Sequence, residues 1–151
     1  MNDPKPRLVV AVGLPGSGKS TWLARLGAHA VSSDAIRLLL ADDETDQTIH
    51  ARVFETVRFL ARQRMELRRP VTYIDATNLT RRDRRQFIEL AQECGGGAEA
   101  LYFDVPVEVC AARNAARPRV VPAEVLRDMA AKLEEPNVDE GFSSVEIVRP
   151  S

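Results

Sequence analysis

Gly13-Leu14-Pro15-Gly16-Ser17-Gly18-Lys19-Ser20 is the stretch that decides how this chain folds. A loop this rich in glycine can turn tightly enough for successive backbone N–H groups to point inward together. Before it, Arg7–Val12 (RLVVAV) is a short, unbroken, valine-rich run. That is the pattern of a strand buried on both faces, as in a parallel sheet. After it, Trp22, Leu23 and Leu26 recur at helical spacing from Lys19 onward. Strand, glycine loop and helix in that order aim the positive end of a helix dipole, and a ring of N–H donors, at one bound anion.

The spacing Gly13-x-x-x-x-Gly18-Lys19-Ser20 meets the Walker A pattern in full, and its flanks supply the structural context the pattern requires. A glycine turn that binds nothing is the bland alternative, and those flanks weigh against it. The cradle would comprise Gly13, Pro15, Gly16, Ser17, Gly18, Lys19, Ser20 and Thr21. Lys19 would reach the β- and γ-phosphates, and the Ser20 hydroxyl would ligate Mg²⁺. No Asn-Lys-x-Asp guanine-reading motif occurs, so ATP is the expected donor.

Outward from the loop, strands and helices alternate. Ala30–Ser32 reads as a second strand, with Asp34 as an N-cap before a helix over Ala35–Leu40. Ala41–Thr48 is acidic and polar, a loop. Ile49, Val53, Val57, Leu60 and Met65 then mark a helix that must end before Pro70. Val71–Ile74 is a third strand. Thr80-Arg81-Arg82-Asp83 is a capping box with aspartate in place of glutamate, opening a helix that buries Phe87, Leu90, Ala91 and Cys94. Gly95-Gly96-Gly97 stops it, and Ala98–Phe103 is a fourth strand. Pro106 and Pro122 each suit the first position of a helix, the first closed by Pro118, the second carrying Val125, Met129 and Leu133 on one face. Ser144–Val148 is the last strand. The order predicts an α/β protein, a parallel sheet covered by helices with right-handed crossovers.

Length and composition fit that reading. A chain of 151 residues, 44% hydrophobic and 28% charged, suits one α/β domain over residues 7–151, after a loose polar terminus at 1–6. A net charge of −1 argues against a generally basic, nucleic-acid-coating surface, though not against a local groove. Cys94 and Cys110 lack metal or redox spacing and read as buried thiols. With no secretory signal pattern and no apolar run long enough to cross a bilayer, a reducing, cytoplasmic setting without membrane contact is expected.

A phosphoryl-transfer enzyme needs a group to accept the proton of the attacking hydroxyl. Asp34 is the candidate, since it follows the second strand where open α/β sheets place their site. It could also merely cap the next helix, a task open to Ser33. Asp75 ends an apolar strand, a Walker B-like position from which a carboxylate could hold Mg²⁺; capping the turn at Ala76-Thr77 is an equally good use. Arg113 and Arg117, four apart, would share one helix face, with Arg119 in the loop beyond. An arginine fork there could stabilise charge spread over a γ-phosphate, on a segment near 113–135 able to close as a lid. A solvated face pairing with Glu108 or Glu124 is the alternative. Two arginine clusters, Arg62–Arg69 and Arg81–Arg85, could line a polyanion groove but more often form wet helix faces. His29 and His50 have no partner at ligand spacing.

Taken together, GLPGSGKST at Gly13–Thr21, Ser32-Ser33-Asp34-Ala35-Ile36-Arg37, Asp75-Ala76-Thr77-Asn78 and Arg113-Asn114-x-x-Arg117 resemble the polynucleotide 5′-hydroxyl kinase family. The chain looks most like the kinase module of bacterial RNA-repair enzymes, a resemblance running from about Leu8 to the end and including Gly141-Phe142 and Val145. The resemblance implies a P-loop kinase fold, a three-layer αβα sandwich with a five-stranded parallel core sheet and a helical lid. It implies Asp34 as general base and Arg37 on the acceptor's terminal phosphate or the reacting phosphoryl group. Arg113 and Arg117 would be lid arginines on the ATP phosphates. The expected acceptor is a 5′-hydroxyl end of DNA or RNA. The phosphatase or ligase domain usual in such repair enzymes is not in this sequence. A small-molecule acceptor, as in gluconate or antibiotic kinases, and a bare nucleotide-binding NTPase module are the alternatives.

Overall fold

The computed structural model describes residues 5–117 and 121–149. Five parallel strands, β1 (Arg7–Val12), β2 (Val31–Ser32), β3 (Val71–Asp75), β4 (Gly97–Phe103) and β5 (Val145–Val148), lie in the order β2-β3-β1-β4-β5. Register runs Arg7 to Val71 on one side of β1 and Arg7 to Gly97 on the other. The expected five-stranded parallel sheet is therefore present.

β1 is the central strand, and its unbroken apolar run is explained by having two faces to bury. Leu8, Val10 and Val12 enter the larger core, with Val53, Val57, Ala61 and Met65 of α3 (His50–Glu66) and Phe87, Leu90 and Ala91 of α4 (Arg81–Glu93). Val9 and Ala11 face the opposite layer, with Leu23 and Trp22 of α1 (Lys19–Arg25); Trp22 meets Phe103 edge-on at 5.8 Å. Helices on both faces make the sheet an αβα sandwich. A third cluster, Leu14, Leu79, Val105, Cys110 and Leu126, joins the carboxyl end of the sheet to α5 (Val107–Ala115) and α6 (Ala123–Lys132).

Several local details differ from the sequence expectation, each for a physical reason. α2 (Ser33–Ala41) is capped by Ser32, whose Oγ accepts from Ala35 N at 3.2 Å. Asp34 is not the cap but lies inside the first turn. On α3 the residue in the core is Ala61, while Leu60 is 40% exposed, because the α3 face is set by Val53 and Val57. Pro106 and Pro122 sit one residue before their helices, as N-caps in extended conformation rather than as first helical residues. On α6 Leu126 is the buried residue and Val125 is exposed. Cys110 is buried, but Cys94 is only half-buried at the end of α4. Pro6, expected in the loose terminus, is buried and its carbonyl accepts from Gly97 N. The capping box at Thr80 and Asp83 forms as expected. Pro118 and Arg119 lie outside the described residues.

The Arg81–Arg85 run is not uniformly solvated. Arg84 is fully buried and donates through Nε and Nη2 to both carboxylate oxygens of Glu140, 2.9 Å each. Its Nη1 donates to the carbonyls of Asn78 and Leu79. A buried guanidinium with a bidentate partner and two carbonyl acceptors fixes the turn that follows β3. In the other run, Arg64 donates to Val71 O and Thr72 Oγ1, and Arg62 pairs with Glu93. Both runs thus spend part of their charge on structure.

Candidate active site

The carboxyl ends of β1, β2 and β3 meet at one edge of the sheet, where open α/β sheets bind ligands. From β1 the chain enters the glycine loop. Gly16 and Gly18 take φ of 85° and 94°, in the left-handed region that side chains disfavour. A Cβ on Gly16 would lie 2.6 Å from the carbonyl oxygen of Cys110, so this position also lets α5 approach the loop. Gly13 N donates to Thr77 O at 3.0 Å, carrying the β1–β3 pairing into the loop. The Asn78 amide spans the same gap, donating to Ala11 O at 2.7 Å from a left-handed backbone (φ 47°).

Lys19 folds back over the loop. Its Nζ donates to the carbonyls of Gly13 and Leu14 at 2.8 and 3.0 Å. Burial pushes its pKa down to about 8, against the opposing pull of Asp75 and Asp34; Arg117 adds to the lowering. Ser20 Oγ donates to Asp75 Oδ2 at 2.7 Å, which brings the two expected metal ligands together. A hydroxyl and a carboxylate side by side are oxygen donors suited to a hard cation such as Mg²⁺. Among the described residues no cluster of three or more His, Cys, Asp or Glu could hold a metal.

Asp34 and Arg37 are one turn apart on α2. Arg37 is nearly fully buried; its Nη1 donates to Asp34 Oδ1 at 3.2 Å, and its Nη2 lies 3.4 Å from His50 Nδ1. A guanidinium has only donors, so Nδ1 is the acceptor in that contact. The expected Arg113 and Arg117 pair is corrected: α5 ends at Ala115, so Arg117 lies beyond it and the two do not share a helix face. Arg113 Nη1 still reaches the Gly16 carbonyl at 3.5 Å.

A cleft of about 840 Å³ collects most of these groups, Arg113 not being among the residues that line it. Lys19, Ser20 and Asp75 line it beside Asp34 and Arg37, with Arg117 and Val121 toward α6. His50, whose sequence spacing offers it no ligand partner, and Phe54, which no motif singles out, line it as well; their rings are 4.7 Å apart. The only signal available was their i, i+4 spacing, which is ordinary on any helix. His29 is exposed, away from this cleft.

A parallel sheet in the order β2-β3-β1-β4-β5, with a glycine cradle leading from its central strand into a helix, defines the P-loop kinase-like fold. The chain belongs to the AAA-domain family, whose sequence pattern matches residues 8–136. It is 24% identical over 136 residues to the L-seryl-tRNA(Sec) kinase of Methanococcus maripaludis, covering 85% of this chain and 53% of that protein. A chain of the Pnkp1/Rnl/Hen1 RNA repair complex superposes with a TM-score of 0.73 at 25% identity, over 87% of this chain and 45% of that one. The gluconokinase of Sinorhizobium meliloti 1021 shares the fold, with a TM-score of 0.61 and 19% identity, over 97% of this chain and 84% of that one. The chain spans about half the length of the archaeal relative. Among the described residues no helix is long and apolar enough to cross a membrane.

Proposed function

We propose that this chain transfers the γ-phosphate of Mg-ATP to a hydroxyl, and that the acceptor is a 5′-hydroxyl end of DNA or RNA. The observation that carries the reading is one cleft in which a phosphate cradle, a hydroxyl–carboxylate metal pair and an arginine-held carboxylate all converge.

In this reading Gly13, Pro15, Gly16, Ser17, Gly18, Lys19, Ser20 and Thr21 cradle the phosphates. Ser20 and Asp75 would hold Mg²⁺, which supplies charge neutralisation on the phosphate oxygens. Asp34 takes the acceptor's proton as the new oxygen–phosphorus bond forms and the bond to the departing ADP oxygen breaks. Arg37 orients that carboxylate. Lys19 moves from the loop carbonyls to phosphate oxygens, and Arg113 and Arg117 add charge from the α5–α6 side, residues 113–135 acting as a lid that excludes water. Similarity to a chain of an RNA repair complex and to a tRNA-linked seryl kinase supports a nucleic-acid acceptor.

The test is transfer of labelled γ-phosphate to short 5′-hydroxyl DNA and RNA, with Lys19→Ala as control. Asp34→Asn is expected to bind Mg-ATP nearly as the wild type does and to lose at least about a hundredfold in transfer, the scale of general-base catalysis. Full activity in that variant would remove Asp34 from the role.

A small-molecule acceptor is the second reading. It is favoured by the acidic segment Asp42–Asp46, from which Glu44, Thr45 and Gln47 just beyond reach the cleft. A carboxylate-rich rim repels a polyanion more than it repels a neutral sugar. Transfer to compact polyols, insensitive to salt and absent with oligonucleotides, would select it.

A further inference from the structure

Beside the cleft lies a smaller cavity of about 280 Å³, and the two share His50, Phe54 and Thr77 as a common wall. None of the residues lining it belongs to the phosphate loop. His50, Phe54 and Arg58 stand one helical turn apart on α3, and Gln86 faces them from α4. Its chemistry differs from that of the phosphate side. The imidazole and phenyl rings, inclined at 41°, form an aromatic edge. Arg58 Nη1 donates to Gln86 Oε1, and Gln86 Nε2 donates to the Asp83 carbonyl at 2.9 Å. Guanidinium and amide are therefore held in fixed orientation across the gap between the helices.

An aromatic wall facing oriented polar groups suits a flat ring with a hydrogen-bonding edge. The volume is small for a ligand site of its own, which typically begins at about 300 Å³, but ample for one ring of a ligand seated mainly in the cleft. Arg37 joins the two regions, with Asp34 on one side of its guanidinium and His50 on the other. These contacts, 3.2 Å to Asp34 and 3.4 Å to His50, run from the cleft to the shared wall of the cavity. An open-chain sugar acid offers no face for the aromatic wall.

We propose that this cavity binds the nucleobase of the acceptor's terminal nucleoside, whose 5′-hydroxyl lies at Asp34. The inference rests on the nucleic-acid reading above and adds to it a subsite built from Phe54, His50, Arg58 and Gln86.

The test uses two oligonucleotides identical except at the 5′ end, one with a natural terminal residue and one with an abasic residue that keeps its 5′-hydroxyl. With the wild-type chain, loss of the base is expected to raise KM about tenfold to a hundredfold, the scale of one base stacked on an aromatic ring, with kcat changed far less. In Phe54→Leu the ratio of the two KM values is expected to collapse toward one, and in Gln86→Ala to fall by the share of the hydrogen-bonding edge. Phe54 also packs against the main core, so Gln86→Ala keeps the test open if the leucine variant folds poorly. Equal KM values for the two ends in the wild type, or an undiminished ratio in Gln86→Ala, would overturn the subsite while leaving transfer to 5′ ends intact. Absence of transfer to either end would overturn the nucleic-acid reading itself, and the subsite with it.

Discussion

Lys19 is the residue at which folding and ligand binding oppose each other. Its ammonium is buried among loop carbonyls, and burial pushes its pKa down to about 8. Phosphate oxygens placed in the cradle would favour the charged form and move the pKa back up. The sign of the resulting linkage follows. Below pH 8 the free protein already carries the proton, and binding takes up none at this site. Above pH 8 the free protein has lost it, and binding must recruit it. Mg-ATP affinity is therefore expected to fall as pH rises past 8, approaching about tenfold per unit between pH 8.5 and 9.5. Calorimetry at pH 9 in buffers of different ionisation enthalpy should register uptake of nearly one proton. Lys19→Met should abolish that uptake along with tight binding. Zero uptake in the wild type at pH 9 would mean that the ammonium does not meet the phosphates.

At the scale of elements, α4 shows how a basic run divides its work. Arg84 turns inward to Glu140 and the carbonyls after β3, and Arg81 pairs with Asp139 at 2.7 Å. Arg82 and Arg85 remain exposed, and Arg82 lies one turn before Gln86 at the small cavity. If a strand leaves that cavity across α4, these two arginines are placed to meet its phosphates. Replacing both with alanine is then expected to weaken oligonucleotide binding and to reduce the slope of log affinity against log salt by about 1 to 2, leaving mononucleotide binding unchanged. An unchanged slope would send the strand elsewhere. The same helix marks the boundary of what a sequence discloses. Its capping box is legible because both partners lie within four residues. The inward turn of Arg84 is not, because Glu140 is 56 residues away. The strand, cradle and helix around Lys19 were legible for the capping-box reason; the hydrogen bond of Ser20 to Asp75, 55 residues apart, was not, and only the two separate motifs named these residues. His50 and Phe54 were not, since only the packing of α3 beside α2 gives an ordinary helix face a neighbour such as Arg37.

Over the whole molecule, the cleft is bounded by parts that distant segments supply: the loop after β1, Asp75 from β3, Asp34 from α2, and the apolar edge of α6 at Val125 and Met129. A ligand bridging these parts binds only the folded chain, so its binding energy adds to the stability of the fold. At a concentration one hundred times its dissociation constant, Mg-ATP is expected to stabilise the protein by about 2.7 kcal/mol. For a chain of this size that is a rise in Tm of roughly 5 to 10 °C. Lys19→Ala should lose most of the rise, because the cradle's cation is gone. Asp34→Asn should keep it, because the proton acceptor is not needed to hold the phosphates. Arg84→Met should differ from both: removing one partner leaves Glu140 buried without its counter-charge, lowering Tm with or without nucleotide, while the increment added by Mg-ATP survives if the protein still folds. A thermal-shift series over these three variants separates a residue that binds, one that reacts and one that holds the scaffold. If Asp34→Asn also lost the increment, Asp34 would belong to nucleotide binding, and the proton acceptor would have to be sought among the other groups of the cleft.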